Sequence, residues 1–191
     1  MWNYEKRLQF PINITSPNAM LAQAIISQYG GPDGEMGASM RYLSQRYAAP
    51  YREVASILTD IGTEELGHLE MVATIVHQLT KDLSMEEIEK SGFANYYVDH
   101  TVGIWPQAAG GFPFSAAQFQ STGDIITDLM EDMAADATLS NIQLHSYATS
   151  HNTEYHPYAI SHNTKISSVL RLGEDHPCAL YGLTGRLQYS Q

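Results

Sequence analysis

Cysteine is almost absent from this chain: Cys178 stands alone, which excludes a disulfide framework within the chain and leaves nothing that calls for an oxidising compartment. Basic residues are scarce as well, 10 Lys and Arg against 21 Asp and Glu, for a net charge of −11. Without a Lys/Arg cluster there is no patch to neutralise phosphates, so nucleic-acid binding is excluded, and an acidic membrane surface would repel the protein. No stretch approaches the roughly 18 consecutive apolar residues of a membrane span. The opening Met1 to Phe10 lacks the apolar core of a signal peptide. A soluble protein made for the cytoplasm is expected, and 191 residues suit one domain with a sizeable core.

What the chain does have is helical periodicity. After a proline-containing extended arm at residues 8–16, the spacing predicts a helix over residues 17–29, with Ser16 as N-cap and Pro17 at the first helical position. Gly30-Gly31-Pro32-Asp33-Gly34 interrupts it, and a second helix is expected over residues 35–48, with Glu35, Ser39, Tyr42 and Arg46 on one face and Pro50 marking the end. Residues 51–80 form the longest periodic run. Ser84 and Glu87 have capping-box spacing for a short helix over 84–90. Residues 91–122, rich in Gly, Pro and aromatics, are expected to form a long ordered loop, of which Trp105 to Phe119 is expected to pack between subunits, with a lid over the site as the alternative. A further helix opens near Thr122 or Asp124, with Ile125, Leu129, Asp132 and Asp136 along one side.

The strongest chemical signal is Glu65-Leu66-Gly67-His68. Spacing of three places both side chains on one helix face. That face is otherwise apolar through Leu58, Ile61, Val72, Ile75 and Leu79, so an ionisable pair is being pushed into a core. A buried carboxylate is normally paired or bound to a metal, and a metal accounts economically for Glu and imidazole together. Ferritin-like four-helix bundles hold two metal ions with one Glu from each of two helices and a Glu-x-x-His from each of the other two, and this chain carries half of that set. His77 and His100 lack a carboxylate at ligand spacing and are read as ordinary polar residues or as residues that support the ligands from behind. Arg46 and Glu70 are expected to form surface or interhelix ion pairs.

Through residue 136 the chain resembles the manganese-catalase family, and within it the branch of spore-coat proteins. The resemblance is carried by Tyr4-Glu5-Lys6, Gln28-Tyr29-Gly30-Gly31 through Gly34-Glu35, and Thr59-Asp60-Ile61-Gly62-Thr63-Glu64-Glu65 through His68-Leu69-Glu70-Met71. It continues in Tyr97-Val98-Asp99-His100 and in Asp128-Leu129-Met130-Glu131-Asp132-Met133-Ala134-Ala135. It implies an all-α, ferritin-like bundle with two manganese ions and disproportionation of hydrogen peroxide. Glu35 resembles a terminal ligand, Glu65 the carboxylate bridging both ions, His68 an imidazole ligand, and Tyr42 the tyrosine that orients the site. The resemblance also implies a homo-oligomer, a hexamer, working among other spore-coat proteins. A coat component with an incomplete site and no turnover is the alternative, and metal storage without redox cycling a third.

Two departures follow. Asp136 stands where the family has Glu, and its carboxylate reaches about 1.5 Å less far, against a tolerance in ligand distance of about 0.2 Å. Moreover, no second Glu-x-x-His exists: Glu154 and Glu174 are each followed three residues later by proline. Composition also breaks near Ala137. Before it lie 18 of the 21 acidic and 7 of the 10 basic residues, so residues 137–191 carry no net charge. That stretch repeats Ser-His-Asn-Thr at 150–153 and 161–164 and shows no three-turn apolar face. One ferritin-like domain over 1–136 is expected, followed by a divergent polar tail over 137–191, disordered or out of frame, with the fourth helix missing or unrecognisable. A shift of reading frame near Ala137 would explain the break. A genuine tail would instead offer His145, His151, His156, His162 and His176 as imidazole donors.

Overall fold

The computed structural model describes residues 4–96, 106–108, 110–119 and 121–135. Five helices carry the architecture: α1 Ala19–Gly30, α2 Glu35–Gln45, α3 Arg52–Thr80, α4 Met85–Ser91, and α5, helical over 125–135. Two short 3-10 turns, Phe93–Tyr96 and Ala116–Gln118, punctuate the connection between α4 and α5. The described residues contain no β-strand, only one isolated bridge between Gln107 and Pro113.

The 29 residues of α3 make a rod roughly 44 Å long. Its buried positions advance in steps of three and four, so one stripe faces inward along its whole length. Two apolar clusters sit on that stripe. Toward the C-terminal end, Val72, Ile75, Val76 and Leu79 pack on Ala22, Ile25 and Ile26 of α1 and on Phe93 and Tyr96. Toward the N-terminal end, Leu58 and Ile61 pack on Ala38 and Tyr42 of α2 and on Leu129 of α5. Between the clusters the stripe is occupied by Glu65 and His68.

The helices start and stop where local chemistry allows. α1 begins two residues later than expected, because Asn18 rather than Ser16 is the cap: its Oδ1 accepts from Leu21 N at 3.0 Å, and its own N–H donates to Leu79 O at 2.9 Å. The same helix includes Gly30, so the break comes at Gly31. α2 ends at Gln45 rather than Ala48, its last residues tightening into turn-type bonds from Tyr47 to Ser44 and Ala48 to Gln45. The capping box of α4 is present, with Ser84 accepting from Glu87 N and Glu87 accepting from Ser84 N. α5 is capped by Asp124, whose Oδ1 accepts from Thr127 N at 2.9 Å. The N-terminal arm is pinned by Gln78, which accepts from Ile14 N at 2.7 Å and donates to Ile12 O at 3.1 Å.

Two close approaches set the helix geometry. At Gly62 an added Cβ would stand 2.9 Å from Leu43 Cγ and 3.0 Å from Tyr42 Cβ, and Ser39 Oγ donates to Gly62 O at 2.6 Å, so the α3 backbone lies directly against side chains of α2. At Gly30 a Cβ would lie 2.1 Å from Gln107 N, so the segment at 106–108 lies directly on the end of α1.

Gly62→Val should therefore lower the unfolding free energy by about 2 kcal/mol, measured by chemical denaturation, since the added methyls have no space between the helices. Asp124→Ala should cost about 1 kcal/mol, with Asp124→Asn retaining most of the cap. The Asp124 carboxyl is held below its ordinary value by the backbone N–H of Thr127. The wild-type advantage over Asp124→Asn is thus fully present above the unfolded carboxyl value and fades as pH falls below about 4 through the folded one.

Candidate metal centre

Glu35 is the first residue of α2, directly after Gly34, and Glu65 and His68 lie mid-way along α3. All three are buried, at 6%, 1% and 5% exposure. Each offers one ligand atom such that the three atoms lie within 4.8 Å of one another. His68 Nδ1 stands 2.8 Å from Glu65 Oε2 and 4.0 Å from Glu35 Oε2. Two donors about 2.1 Å from one ion in an octahedron are about 3.0 Å apart when adjacent and about 4.2 Å apart when opposite. The observed separations fit that scale. Carboxylate oxygens with one imidazole suit manganese or non-haem iron, so donor chemistry and spacing agree.

The sequence predicts this convergence only in part. Glu65 and His68 follow from helix spacing, whereas Glu35 joins them because α2 packs closely on α3, with the Tyr42 and Leu43 side chains against Gly62 and Ser39 Oγ donating to Gly62 O. Tyr42 is fully buried in the α2–α3 cluster with Ala38, Leu58 and Ile61. Asp136 and the tail histidines lie outside the described residues, as does His100. His77 is exposed on α3, in keeping with an ordinary polar role. Arg46 departs from expectation: it donates to Thr59 Oγ1 at 3.2 Å and stacks over the Tyr47 ring at 4.7 Å.

Other polar side chains buried near α2 escaped the sequence reading. Gln45 Nε2 donates to Asp132 Oδ1 at 3.0 Å in the interior, tying α2 to α5. Asp128 accepts from Thr122 N, Thr122 Oγ1 and Gly123 N, at 2.8, 2.7 and 3.1 Å, and so closes the turn into α5. Arg41 is 1% exposed and reaches Glu131, Asp33 and Pro32 O. The spacing of Asp128 and Asp132 along the face that also bears Leu129 was the available signal for the two aspartates. For Arg41 there was none, because a single arginine in a helix reads as a surface residue.

The family model described as manganese containing catalase matches residues 1–150. The chain belongs to the manganese catalase family. It is 49% identical to the protein CotJC of Bacillus subtilis over 136 residues, 71% of each chain. It is 30% identical to a probable manganese catalase of Clostridium acetobutylicum over 138 residues, 71% of this chain and 61% of that protein. With a manganese catalase of Bacillus subtilis the identity is 28% over 150 residues, 72% of this chain and 55% of that protein. The match thus spans a little over half of that longer relative. The fold resembles the crystal structure of KatB, a manganese catalase from Anabaena, with a TM-score of 0.69 at 24% identity, covering 100% of this chain and 84% of that one. The bundle is accordingly the ferritin-like fold of this family.

Removing the imidazole leaves two carboxylates facing each other in the interior. His68→Ala should therefore destabilise the metal-free protein at neutral pH by about 3 kcal/mol in denaturant unfolding, the scale of breaking a buried pair.

Proposed function

We propose that this chain is a di-manganese, catalase-like protein associated with the spore coat, disproportionating hydrogen peroxide to water and oxygen. The observation that carries the reading is the convergence of three buried donors, Glu35, Glu65 and His68, in a chain of the manganese catalase family. Glu35 would hold one ion as a terminal ligand, Glu65 would bridge the two, and His68 would add an imidazole. A manganese pair, when bound, supplies the two-electron exchange by which two peroxide molecules become two waters and one dioxygen. The chain's own part is to hold these donors aimed at one point and away from bulk water, so that no reorganisation is needed when the ions or peroxide arrive. We assign Tyr42, two turns along α2 from Glu35, to orienting the site, the kind of support ligands generally require.

The second half of the site falls to residues 136 and beyond. Asp136 is assigned there in place of the longer Glu, and a genuine tail would offer its histidines for the second imidazole. We take residues 1–136 as the catalase-type domain and 137–191 as a divergent polar tail. The composition break near Ala137 supports the other account of the tail, a shift of reading frame near that point, whereas the family match through residue 150 favours a genuine continuation. The nucleotide sequence tests this: a change of one or two bases that restores a Glu-x-x-His helix would establish it. Association with other coat proteins rests on the likeness to CotJC, and a closed homo-oligomer, a hexamer, on the family.

A second reading, a structural coat component without turnover, is favoured by one specific observation: the sequence holds a single Glu-x-x-His. Metal content separates the two. After exposure to excess manganese, the purified chain should carry close to two ions, lost in Glu65→Ala, and should release oxygen from peroxide. A content near zero would overturn the catalytic reading and leave the structural one.

A further inference from the structure

Arg41 places a guanidinium, 1% exposed, at the junction of three parts of the fold. Its Nη2 donates to Pro32 O at 3.5 Å and to Asp33 Oδ1 at 3.4 Å, both in the turn between α1 and α2, and its Nη1 donates to Glu131 Oε1 at 3.3 Å on α5. The two carboxylate partners are partly exposed, at 37% and 26%, so the cation lies inside and its anions at the surface. Such a pair is weak evidence for stability, because desolvation offsets the attraction. Its geometry is more telling. A planar fork with several donors can bridge acceptors on separate elements, as the ammonium point charge of lysine cannot.

The turn it grips leads straight into Glu35 and has little freedom of its own. A Cβ at Gly31 would stand 2.4 Å from Ser27 O, one at Gly34 2.7 Å from the same oxygen, and one at Gly37 2.5 Å from Pro32 O. Backbone thus packs on backbone from Ser27 to Gly37, and Glu35 sits within that span. Arg41 links this stiff turn to α5 five residues before Asp136.

We propose that Arg41 is a positioning residue for metal binding, fixing the carboxylate of Glu35, and with it the α2 N-terminus, relative to α5. The proposal rests on the reading that Glu35, Glu65 and His68 hold manganese. Arg41 acts through Glu35 and does not itself touch the ion.

The test is manganese(II) titration of the full chain followed by electron paramagnetic resonance, with unfolding of the metal-free protein measured alongside. Arg41→Gln should weaken manganese affinity about tenfold, the lower end of effects seen when support to a ligand is lost, and should alter the line shape of the bound ion. Arg41→Lys should recover affinity in part. In a Glu35→Gln background, Arg41→Gln should add nothing further, since Arg41 acts on the metal only by placing Glu35. Glu131→Gln and Asp33→Asn, at partly exposed side chains, should shift affinity and line shape in the same direction, and they decide the matter if the Arg41 variants do not fold. Folded variants with wild-type affinity and line shape would overturn the proposal while leaving the metal site standing. A wild-type chain that binds no manganese would refute the site itself, and the proposal with it.

Discussion

Everything in this structure turns on a carboxylate and an imidazole carried into the interior by one helix. Glu65 and His68 occupy the stretch of α3 that would otherwise join its two apolar clusters into a continuous core. Burying an ionised carboxylate without compensation is costly enough that the group would neutralise or the helix would turn it outward. Here the two side chains meet at 2.8 Å, and Glu35 from α2 closes on them. The apolar packing on either side, Leu58 and Ile61 before and Val72 and Ile75 after, holds the helix face inward. The hydrophobic effect thus supplies the free energy that keeps these polar side chains where water would otherwise claim them.

A site assembled from two helices is only as precise as their approach. Ser39 bonded to Gly62 O and the missing Cβ at Gly62 let α2 pack closely on α3, with the Tyr42 and Leu43 side chains against the α3 backbone. The same economy recurs at the α1–α2 turn, where glycines at 31, 34 and 37 let backbone pack on backbone around Glu35. Buried polar links then register α5 against α2, through Gln45 with Asp132 and Arg41 with Glu131.

Legibility from sequence varied with the kind of signal. α3 was plain because a 3.6-residue period persists over 29 residues, and the box at Ser84 and Glu87 was plain because both partners lie within one turn. Asp124 as the cap of α5 belonged to the same class of local signal. The start of α1 was misplaced by two residues because Ser16 and Asn18 are both good caps, and the choice fell to the bond from Asn18 N to Leu79 O, 61 residues away in the chain. Arg46 meets the hydroxyl of Thr59 across the helix pair and the ring of its chain neighbour Tyr47 rather than a carboxylate, because its neighbour on α3 is set by packing.

By itself the sequence determined the helices, the inward stripe of α3 and the presence of Glu65 and His68 on it, because hydrophobic periodicity and i, i+3 spacing are properties of neighbouring residues. Composition likewise determined the acidic charge and its confinement to residues before Ala137. Only the tertiary structure decided that Glu35 closes on that pair, that Arg41 is interior, and that Gln45 meets Asp132. These contacts span 30 to 90 positions along the chain, and they exist because glycine-mediated approach and apolar packing fix the helices against one another.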